Sequence, residues 1–220
     1  MGNRSSPTDT MRHRLLLLSC LVMGLFGCGG GGDAGLTKPR LLDIGDRWDF
    51  ARTTTTITNG QTTTDQRDVT WRIASAPFQG QTRMSLTFTP TDMAADRLAI
   101  RQDTFSRQVD IIGSVKGVTE TAQSSVYIPA SLAQGYTFPT LIVTPTQIVA
   151  ANATVGREES VTVRNGTYRA YKITATAGGV TLTQWLRPGL GVPIKQVIVE
   201  NDAILVRTTD WQLIGTNVSE

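Results

Sequence analysis

Hydrophobic and polar residues alternate over most of the chain after residue 38, which is the pattern of β-strands that bury one face. The pattern begins with Trp48 and Phe50, which share one face ahead of a Thr-rich stretch. It recurs at Val69, Trp71 and Ile73; at Met84, Leu86 and Phe88; at Leu98 and Ile100; and over residues 109–112. The first half is therefore predicted to contain consecutive antiparallel strands, with a single short helical turn around residues 91–96.

Turn sequences separate the predicted strands. Asn59-Gly60 and Asn165-Gly166 are typical of type I′ hairpin turns, which need a positive φ at both positions. Gly178-Gly179 and Asn201-Asp202 mark further reversals. In Pro188-Gly189-Leu190-Gly191 the two glycines allow a tight reversal after the proline. The last third of the chain is therefore predicted to be a meander.

The middle of the chain is less regular. Residues 127–145 contain three prolines and Gly135, which predicts a long surface connection with an extended segment near residues 141–143. About ten strands are expected in total, and an antiparallel sheet of that size usually curls or closes. The predicted fold is all-β, a strongly curved antiparallel sheet or partly open β-barrel with mostly meander connections. It forms a single domain over residues 39–220.

The start of the chain has the layout of a secretory signal peptide. Basic residues 12–14 precede an apolar run of about twelve residues, Leu15 to Phe26, which is too short to span a bilayer. The run ends in Leu25-Phe26-Gly27-Cys28, which resembles the Leu-x-Gly-Cys ending of bacterial lipoprotein signals. The resemblance implies that residues 1–27 are removed, with Met11 as an alternative start, and that Cys28 is acylated.

Residues 28–38 are then a lipidated, Gly-rich tether, and several acyl chains make such an anchor stable. Gly29 after the cysteine implies, by resemblance to lipoproteins of diderm bacteria, delivery to the outer membrane, facing the periplasm or the surface. Two alternatives remain for this region. One is a second partial signal match at Leu17-Leu18-Ser19-Cys20, and the other is an N-terminal hairpin or membrane helix with an incidental cysteine.

Composition agrees with a globular β-domain. The 220 residues are 40% hydrophobic and 18% charged, and 33 of them are threonine, which favours strands. The predicted leader holds three of the 21 basic residues and one of the 18 acidic residues, so the remainder carries 18 and 17. This balance gives no electrostatic footprint for nucleic acid.

The catalytic chemistry open to the mature domain is restricted. The single histidine, His13, lies in the predicted leader, and both cysteines are removed or acylated. Ser-His-Asp and Cys-His catalysis and the common zinc ligand sets are therefore excluded. No Gly-rich phosphate loop is present. The expectation is a protein that is not an enzyme and has no metal or cofactor.

Four pairs of carboxylates remain as candidates for chemistry. Glycoside cleavage needs two carboxyl groups about 5 to 10 Å apart across a cleft, and calcium needs several oxygen ligands from one loop. The pairs fall on predicted turns and strand ends, where solvated surface is the simpler interpretation. They are Asp46 with Asp49, Asp65 with Asp68, Asp92 with Asp96, and Glu158 with Glu159.

The four tryptophans alternate with polar neighbours, which predicts packing in the core or at its edge. The alternative is that some of them line a ligand cavity. They are Trp48, Trp71, Trp185 and Trp211.

Three motifs carry a resemblance to a known group. Gly45 to Trp48 opens the domain, residues 161–173 form a hairpin motif, and residues 185–192 form a Trp-x-x-Pro-Gly-x-Gly turn. Together they resemble bacterial envelope proteins of the TapB-like type, although Tyr168 stands where that group usually has Phe. The resemblance spans nearly the whole mature domain and implies the outer-membrane lipoprotein-carrier class, a curved antiparallel sheet that can hold an apolar ligand.

Two functional hypotheses follow. The first is a membrane-anchored bacterial lipoprotein whose non-catalytic β-sheet module binds a lipid or another apolar ligand. The alternative is a structural or assembly lipoprotein that docks an envelope protein through an edge or face of its sheet. An enzyme with convergent carboxylates ranks third.

Overall fold

Nearly all of the chain that is described, residues 38–219 of a computed structural model, belongs to one antiparallel sheet. Pro188–Leu190 forms one turn of 3-10 helix, and no helix within these residues is long and apolar enough to cross a membrane. The all-β prediction is confirmed. The twelve strands are β1 (Arg47–Thr58), β2 (Gln61–Phe78), β3 (Gln81–Thr89), β4 (Arg97–Gln102), β5 (Val109–Lys116), β6 (Thr119–Ile128), β7 (Thr137–Val143), β8 (Ile148–Val163), β9 (Gly166–Ala177), β10 (Val180–Arg187), β11 (Val192–Asn201) and β12 (Leu205–Thr216).

The sheet is a meander that returns to its own start. Strands pair with their chain neighbours from β1 to β6 and from β7 to β12, and β1 also pairs with β12. The two edge strands are therefore β6 and β7, which follow each other in the chain. The result is a nearly closed barrel with one seam, between β6 and β7.

Several predicted turns form as expected. Asn59 and Gly60 have φ values of 50° and 77°, so they make the predicted type I′ turn. Gly178 and Gly179 also have positive φ, of 54° and 75°. Gly191, with φ of 68°, ends the 3-10 turn by donating its N–H to the carbonyl oxygen of Pro188.

The type I′ assignment at Asn165-Gly166 is wrong, because the two loop residues of this hairpin lie one position earlier and neither has a positive φ. Gly166 is the first residue of β9 and pairs with Val163, so the loop residues are Arg164 and Asn165. Within the described residues Gly166 has a positive φ and Asn165 does not. Gly189 likewise lies within the 3-10 turn without a positive φ, so Gly191 alone supplies the left-handed conformation.

Two predictions for the middle of the chain are also wrong. Residues 91–96 form no helical turn, and residues 127–145 are not one long surface connection. Residues 127–128 end β6 and residues 137–143 form β7, with Phe138 and Ile142 buried in the core, so the connection is limited to residues 129–136. The extended segment predicted near residues 141–143 is confirmed as the end of β7. Pro139 is tolerated there because β7 is an edge strand, where a missing N–H costs no ladder hydrogen bond.

Each end of the barrel is covered by a segment outside the sheet. The lower end is closed by residues 38–46, where the Leu42 side chain is buried and its N–H donates to Gln102 Oε1 at 2.8 Å. The upper end is covered by residues 90–96, between β3 and β4, which contain the buried Met93. We call this second segment the plug loop.

Gly113 on β5 tests the packing of the barrel wall. A Cβ at this position would overlap the ring of Phe78 and lie 2.8 Å from the carbonyl oxygen of Thr121. Gly113→Ala is expected to lower the free energy of unfolding by about 1–3 kcal/mol, because the wall has no room for the methyl group. Denaturant unfolding followed by tryptophan fluorescence measures the change.

Gly215→Ala is the matched control. A Cβ at this glycine of β12 would meet the side chain of Asp49 at an ordinary distance of 3.7 Å. Equal losses of stability in the two variants would show that the contact with Phe78 does not limit the packing.

Candidate functional site, an aromatic cavity beside the seam

A small cavity lies inside the barrel, between an aromatic wall and the seam. Its volume is about 40 Å³, which is room for about two or three water molecules. An apolar chamber with a few polar groups is the usual composition of a small-molecule site. The apolar lining includes Trp71, Phe88, Met93, Leu98, Ile111, Leu182, Ile198 and Trp211, and the polar lining is Tyr127, Thr140, Gln184 and Gln196.

Trp71 on β2 and Trp211 on β12 form the aromatic wall. Their ring centroids are 5.1 Å apart at an interplanar angle of 64°. The ring of Phe50, on the strand between them, lies 4.6 Å from Trp71, and that of Phe88 lies 5.6 Å from Trp71. Tilted and edge-to-face contacts of this kind hold rings in fixed relative positions. The wall is therefore built where the first and last strands of the chain meet.

Three donors of cavity-lining residues are buried without a partner within the described chain. They are the indole N–H groups of Trp71 and Trp211 and the hydroxyl of Tyr127. Burial raises the pKa of the Tyr127 hydroxyl, which keeps it a neutral donor. A buried donor without a partner costs about 1–3 kcal/mol, so three beside one cavity indicate a place for a hydrogen-bond acceptor, either water or a ligand.

Two facing amides add further hydrogen-bonding capacity. Gln184 on β10 pairs with Gln196 on β11, and both line the cavity. Gln184 occupies an inward position between the buried Leu182 and Leu186. An amide both donates and accepts, so this pair can bind either kind of polar group.

The seam is held by a side chain instead of a backbone ladder. Thr140 Oγ1 on β7 donates to the carbonyl oxygen of Val126 on β6 at 2.9 Å. Beside it, Gln123 Nε2 and Ser125 Oγ are buried without partners in the described chain. Thr140 and Leu141 line both the inner cavity and an outer groove along the seam. At the seam, therefore, these two residues alone among those described separate the cavity from the outer groove.

The plug loop covers the upper side of the cavity. Its Met93 side chain is buried and lines the cavity. The N–H of Ala94 donates to the carbonyl oxygen of Thr144 at 2.8 Å. Lys116 Nζ donates to two carbonyl oxygens of the loop, each at 2.9 Å. The loop is thus attached to the ends of β5 and β7, on both sides of the seam.

Asp92 attaches the plug loop to the opposite wall through two arginines. Arg52 Nη1 donates to Asp92 Oδ1 at 2.8 Å, and Arg52 Nη2 donates to Oδ2. Arg67 Nη1 also donates to Oδ2, at 3.0 Å. The hydrogen bonds from Arg52 hold the pKa of Asp92 below its ordinary value, and the charges of both arginines act in the same direction. Asp92, Arg52 and Arg67 therefore form ion pairs that hold the plug loop to the wall, and we call this group the latch.

The four tryptophans occupy different places. Trp71 and Trp211 line the cavity, and Trp48 is fully buried without lining it. Trp185 follows Gln184 and has the opposite orientation, so its ring is on the outer face of β10. There its N–H donates to Glu159 Oε1 at 2.6 Å, and Lys195 Nζ lies 5.5 Å from its ring.

The carboxylate pairs are divided among separate contacts, and no cluster of His, Cys, Asp and Glu in residues 38–219 is suited to a metal ion. Asp46 binds Arg40, and Asp49 binds Arg47. The remaining partners are Arg67 for Asp65, Lys116 for Asp96, Arg169 for Glu158 and Trp185 for Glu159. Cys28 and the predicted leader lie outside the described residues.

Arg52, Gln184 and Met93 are site residues that the sequence patterns did not single out. For two of them a signal existed. Arg52 follows Phe50 by two positions, which places a charged side chain on the core-facing side of β1. Gln184 interrupts an apolar face in the same way. Met93 had no such signal, because it lies on a loop.

No protein-family model and no curated protein matches this chain. A candidate exported protein of Bacteroides fragilis with a YmcC-like fold is 11% identical, covers 81% of this chain and 98% of its own, and has a TM-score of 0.40. A DUF1329 family protein of Desulfovibrio piger is 10% identical, with coverages of 80% and 87% and a TM-score of 0.23. No function follows from likenesses this distant, and the TapB-like resemblance stays a prediction.

Thr140→Val tests the side-chain bridge across the seam. The substitution leaves the buried carbonyl oxygen of Val126 without its donor, so the free energy of unfolding should fall by about 1–3 kcal/mol. Amide hydrogen exchange should accelerate in β6 and β7 more than in the other strands. Thr176→Val removes an exposed hydroxyl contact with Thr181 and should change stability by less than about 0.5 kcal/mol. Uniform acceleration across all strands would contradict a local role for the bridge.

Asp92→Asn should reveal the ionised latch as a pH dependence of stability. Because the folded-state pKa of Asp92 is lowered from 3.8, its stabilising effect is present above that value and is lost as the pH falls through the folded-state pKa. The stability advantage of the wild type over the variant should therefore be present at neutral pH and decline below about pH 4. Urea unfolding at several pH values measures it.

Asp68→Asn is the control for that experiment. Asp68 is exposed on β2, next to Arg67 in sequence, and the described chain gives its carboxylate no ion pair. Its effect on stability should stay small at every pH. A wild-type advantage over Asp92→Asn that is constant from pH 7 to pH 3 would contradict the ionised latch.

Proposed function

We propose that this protein is an envelope-anchored, non-catalytic binding protein that holds an apolar ligand, such as the chain of a lipid, inside its barrel. The observation that carries the proposal is the cavity beside Trp71 and Trp211, with three buried donors that have no protein partner in the described residues. Apolar walls supply most of the affinity for such a ligand, and a few hydrogen-bonding groups set its orientation.

The size of the cavity implies that ligand binding moves side chains. Sites for small molecules measure about 300–1,000 Å³, whereas this cavity has about 40 Å³. Met93 is the lining residue best suited to move, because its unbranched side chain is flexible and lies on a loop. We therefore expect Met93 and the plug loop that carries it to move when a ligand binds.

A second candidate function is docking of an envelope protein on an apolar patch at the upper end. Ile57 and Val206 pair across β1 and β12, and Ile204 lies on the adjacent turn. Their exposed fractions are 40%, 38% and 69%. Scattered exposed aliphatic side chains are common, but a group at adjoining hairpin tips favours contact with a partner. A partner bound there would not need the inner cavity.

Quenching of tryptophan fluorescence by 12-bromododecan-1-ol tests the proposed function. The bromine atom quenches an indole only at short range, so a probe in the cavity should quench Trp71 and Trp211 with saturable, one-site behaviour. The purified full chain should show this quenching, and an excess of unbrominated dodecan-1-ol should reverse it.

Two matched substitutions locate the bound probe. Trp211→Phe removes a cavity-lining indole, whereas Trp185→Phe makes the same change on the outer face. The quenchable fraction of the fluorescence should fall in the first variant and persist in the second. Non-saturable quenching, or a loss confined to Trp185→Phe, would contradict binding in the barrel.

A further inference from the structure

A buried charge lies next to the residues that line the cavity, and its counter-ion comes from the plug loop. The Arg52 side chain is 4% exposed, and its guanidinium lies 5.7 Å from the ring of Trp211 and 3.8 Å from the sulfur of Met93. Both of these neighbours line the cavity. A buried guanidinium needs a carboxylate partner, and here the partner, Asp92, belongs to the plug loop and not to the barrel wall.

The donors around Asp92 have the geometry of an oxyanion site. Both terminal nitrogens of Arg52 donate to the two carboxylate oxygens, and Arg67 donates to one of them. A planar guanidinium in this arrangement can donate two hydrogen bonds to either a carboxylate or a phosphate, because both present paired oxygens. The Nε of Arg52 is buried without a partner in the described chain.

The charge balance depends on Asp92 remaining in place. Arg67 also donates to Asp65 on its own strand at 2.7 Å, so the local group consists of two arginines and two carboxylates. Withdrawal of Asp92 leaves one net positive charge beside an apolar cavity. Breaking a buried ion pair is costly because it leaves a buried charge unpaired. An external anion that replaced Asp92 would pair with Arg52 and so avoid this cost.

We propose that Arg52 and Arg67 form the head-group site of the ligand, that the head group is an anionic oxyacid, and that Asp92 occupies this site until the ligand replaces it. The inference rests on the proposed function of the cavity and adds the class of ligand, an anionic amphiphile. Asp92 and Met93 are consecutive residues, so the movement that vacates the head-group site also withdraws the methionine side chain from the cavity. One displacement therefore makes room for the head group and the chain together.

The test compares three probes that share a twelve-carbon chain: dodecanoate, dodecyl phosphate and dodecan-1-ol, all below their micelle concentrations. Their dissociation constants are measured by competition with 12-bromododecan-1-ol on the full chain and on its Asp92→Asn variant. Removal of the internal competitor should raise the preference for an anionic probe over dodecan-1-ol by about tenfold or more, or about 1.4 kcal/mol. The two anionic probes distinguish a carboxylate head group from a phosphate.

Asp65→Asn is the matched control. Asp65 also binds Arg67, but it lies on β2 and does not contact Arg52. This variant should change the preference for anions by less than about threefold, since an exposed carboxylate contributes little. Circular dichroism and a cooperative unfolding transition establish that both variants are folded.

The outcomes separate the two proposals. Binding of dodecan-1-ol by both proteins, with no gain in preference for either anion in Asp92→Asn, overturns the head-group site and leaves the proposed function intact. An equal gain in affinity for all three probes in Asp92→Asn also overturns the head-group site. Such a result would show that the substitution opens the plug loop without exposing a site for anions. Absence of any saturable binding of 12-bromododecan-1-ol overturns both proposals.

Discussion

The pairing of β1 with β12 is the constraint on which the rest of the structure depends. It runs along nearly all of β1, from Trp48 opposite Thr216 to Thr58 opposite Leu205. These residues lie at opposite ends of the described chain, so the pairing closes a very long loop. It is also what places Trp71 and Trp211 on either side of one strand. Closing a loop of this length costs conformational entropy that local hairpins do not incur.

A ring of twelve strands encloses more space than the interiors of small barrels, which side chains alone can fill. The protein fills most of it in two ways. Bulky aromatic rings occupy the centre, and segments outside the sheet contribute Leu42 from below and Met93 from above. What remains is the cavity of about 40 Å³. One of the filling segments is a loop outside the sheet, so the opening proposed for ligand binding requires no strand pairing to break.

The alternation of apolar and polar residues was sufficient to predict the fold class and most of the strands, since alternation is a local property. It failed where part of a strand is exposed on both faces and where a strand contains a proline. The first half of β6 is exposed and polar, and the seam strand β7 contains a proline, so neither gave a clear strand pattern. The pairing of β1 with β12 is not local, and no feature of either strand identifies its partner.

The sequence predicted the cavity-lining tryptophans but not the polar residues or the loop of the candidate site, and this too follows from the local nature of the alternation. Alternation says that two residues share a face, but not which face is inward when both contain large side chains. On β10 the polar Gln184 faces the core and the aromatic Trp185 faces outward, the reverse of what their polarity suggests. The plug loop could not be anticipated either, because the carboxylate of Asp92 acquires its importance only from two arginines that are distant in sequence.

The ion pair between Arg52 and Asp92 is better understood as an exchangeable contact than as a source of stability. A buried ion pair roughly balances its desolvation, and well-packed apolar residues would stabilise the same position as much or more. An apolar residue at position 52 would, however, give a permanent closure. An arginine held by the carboxylate of a loop keeps the barrel closed only while no other anion takes that place. The same two guanidinium groups that close the cavity in this structure are therefore the groups best suited to recognise what enters it.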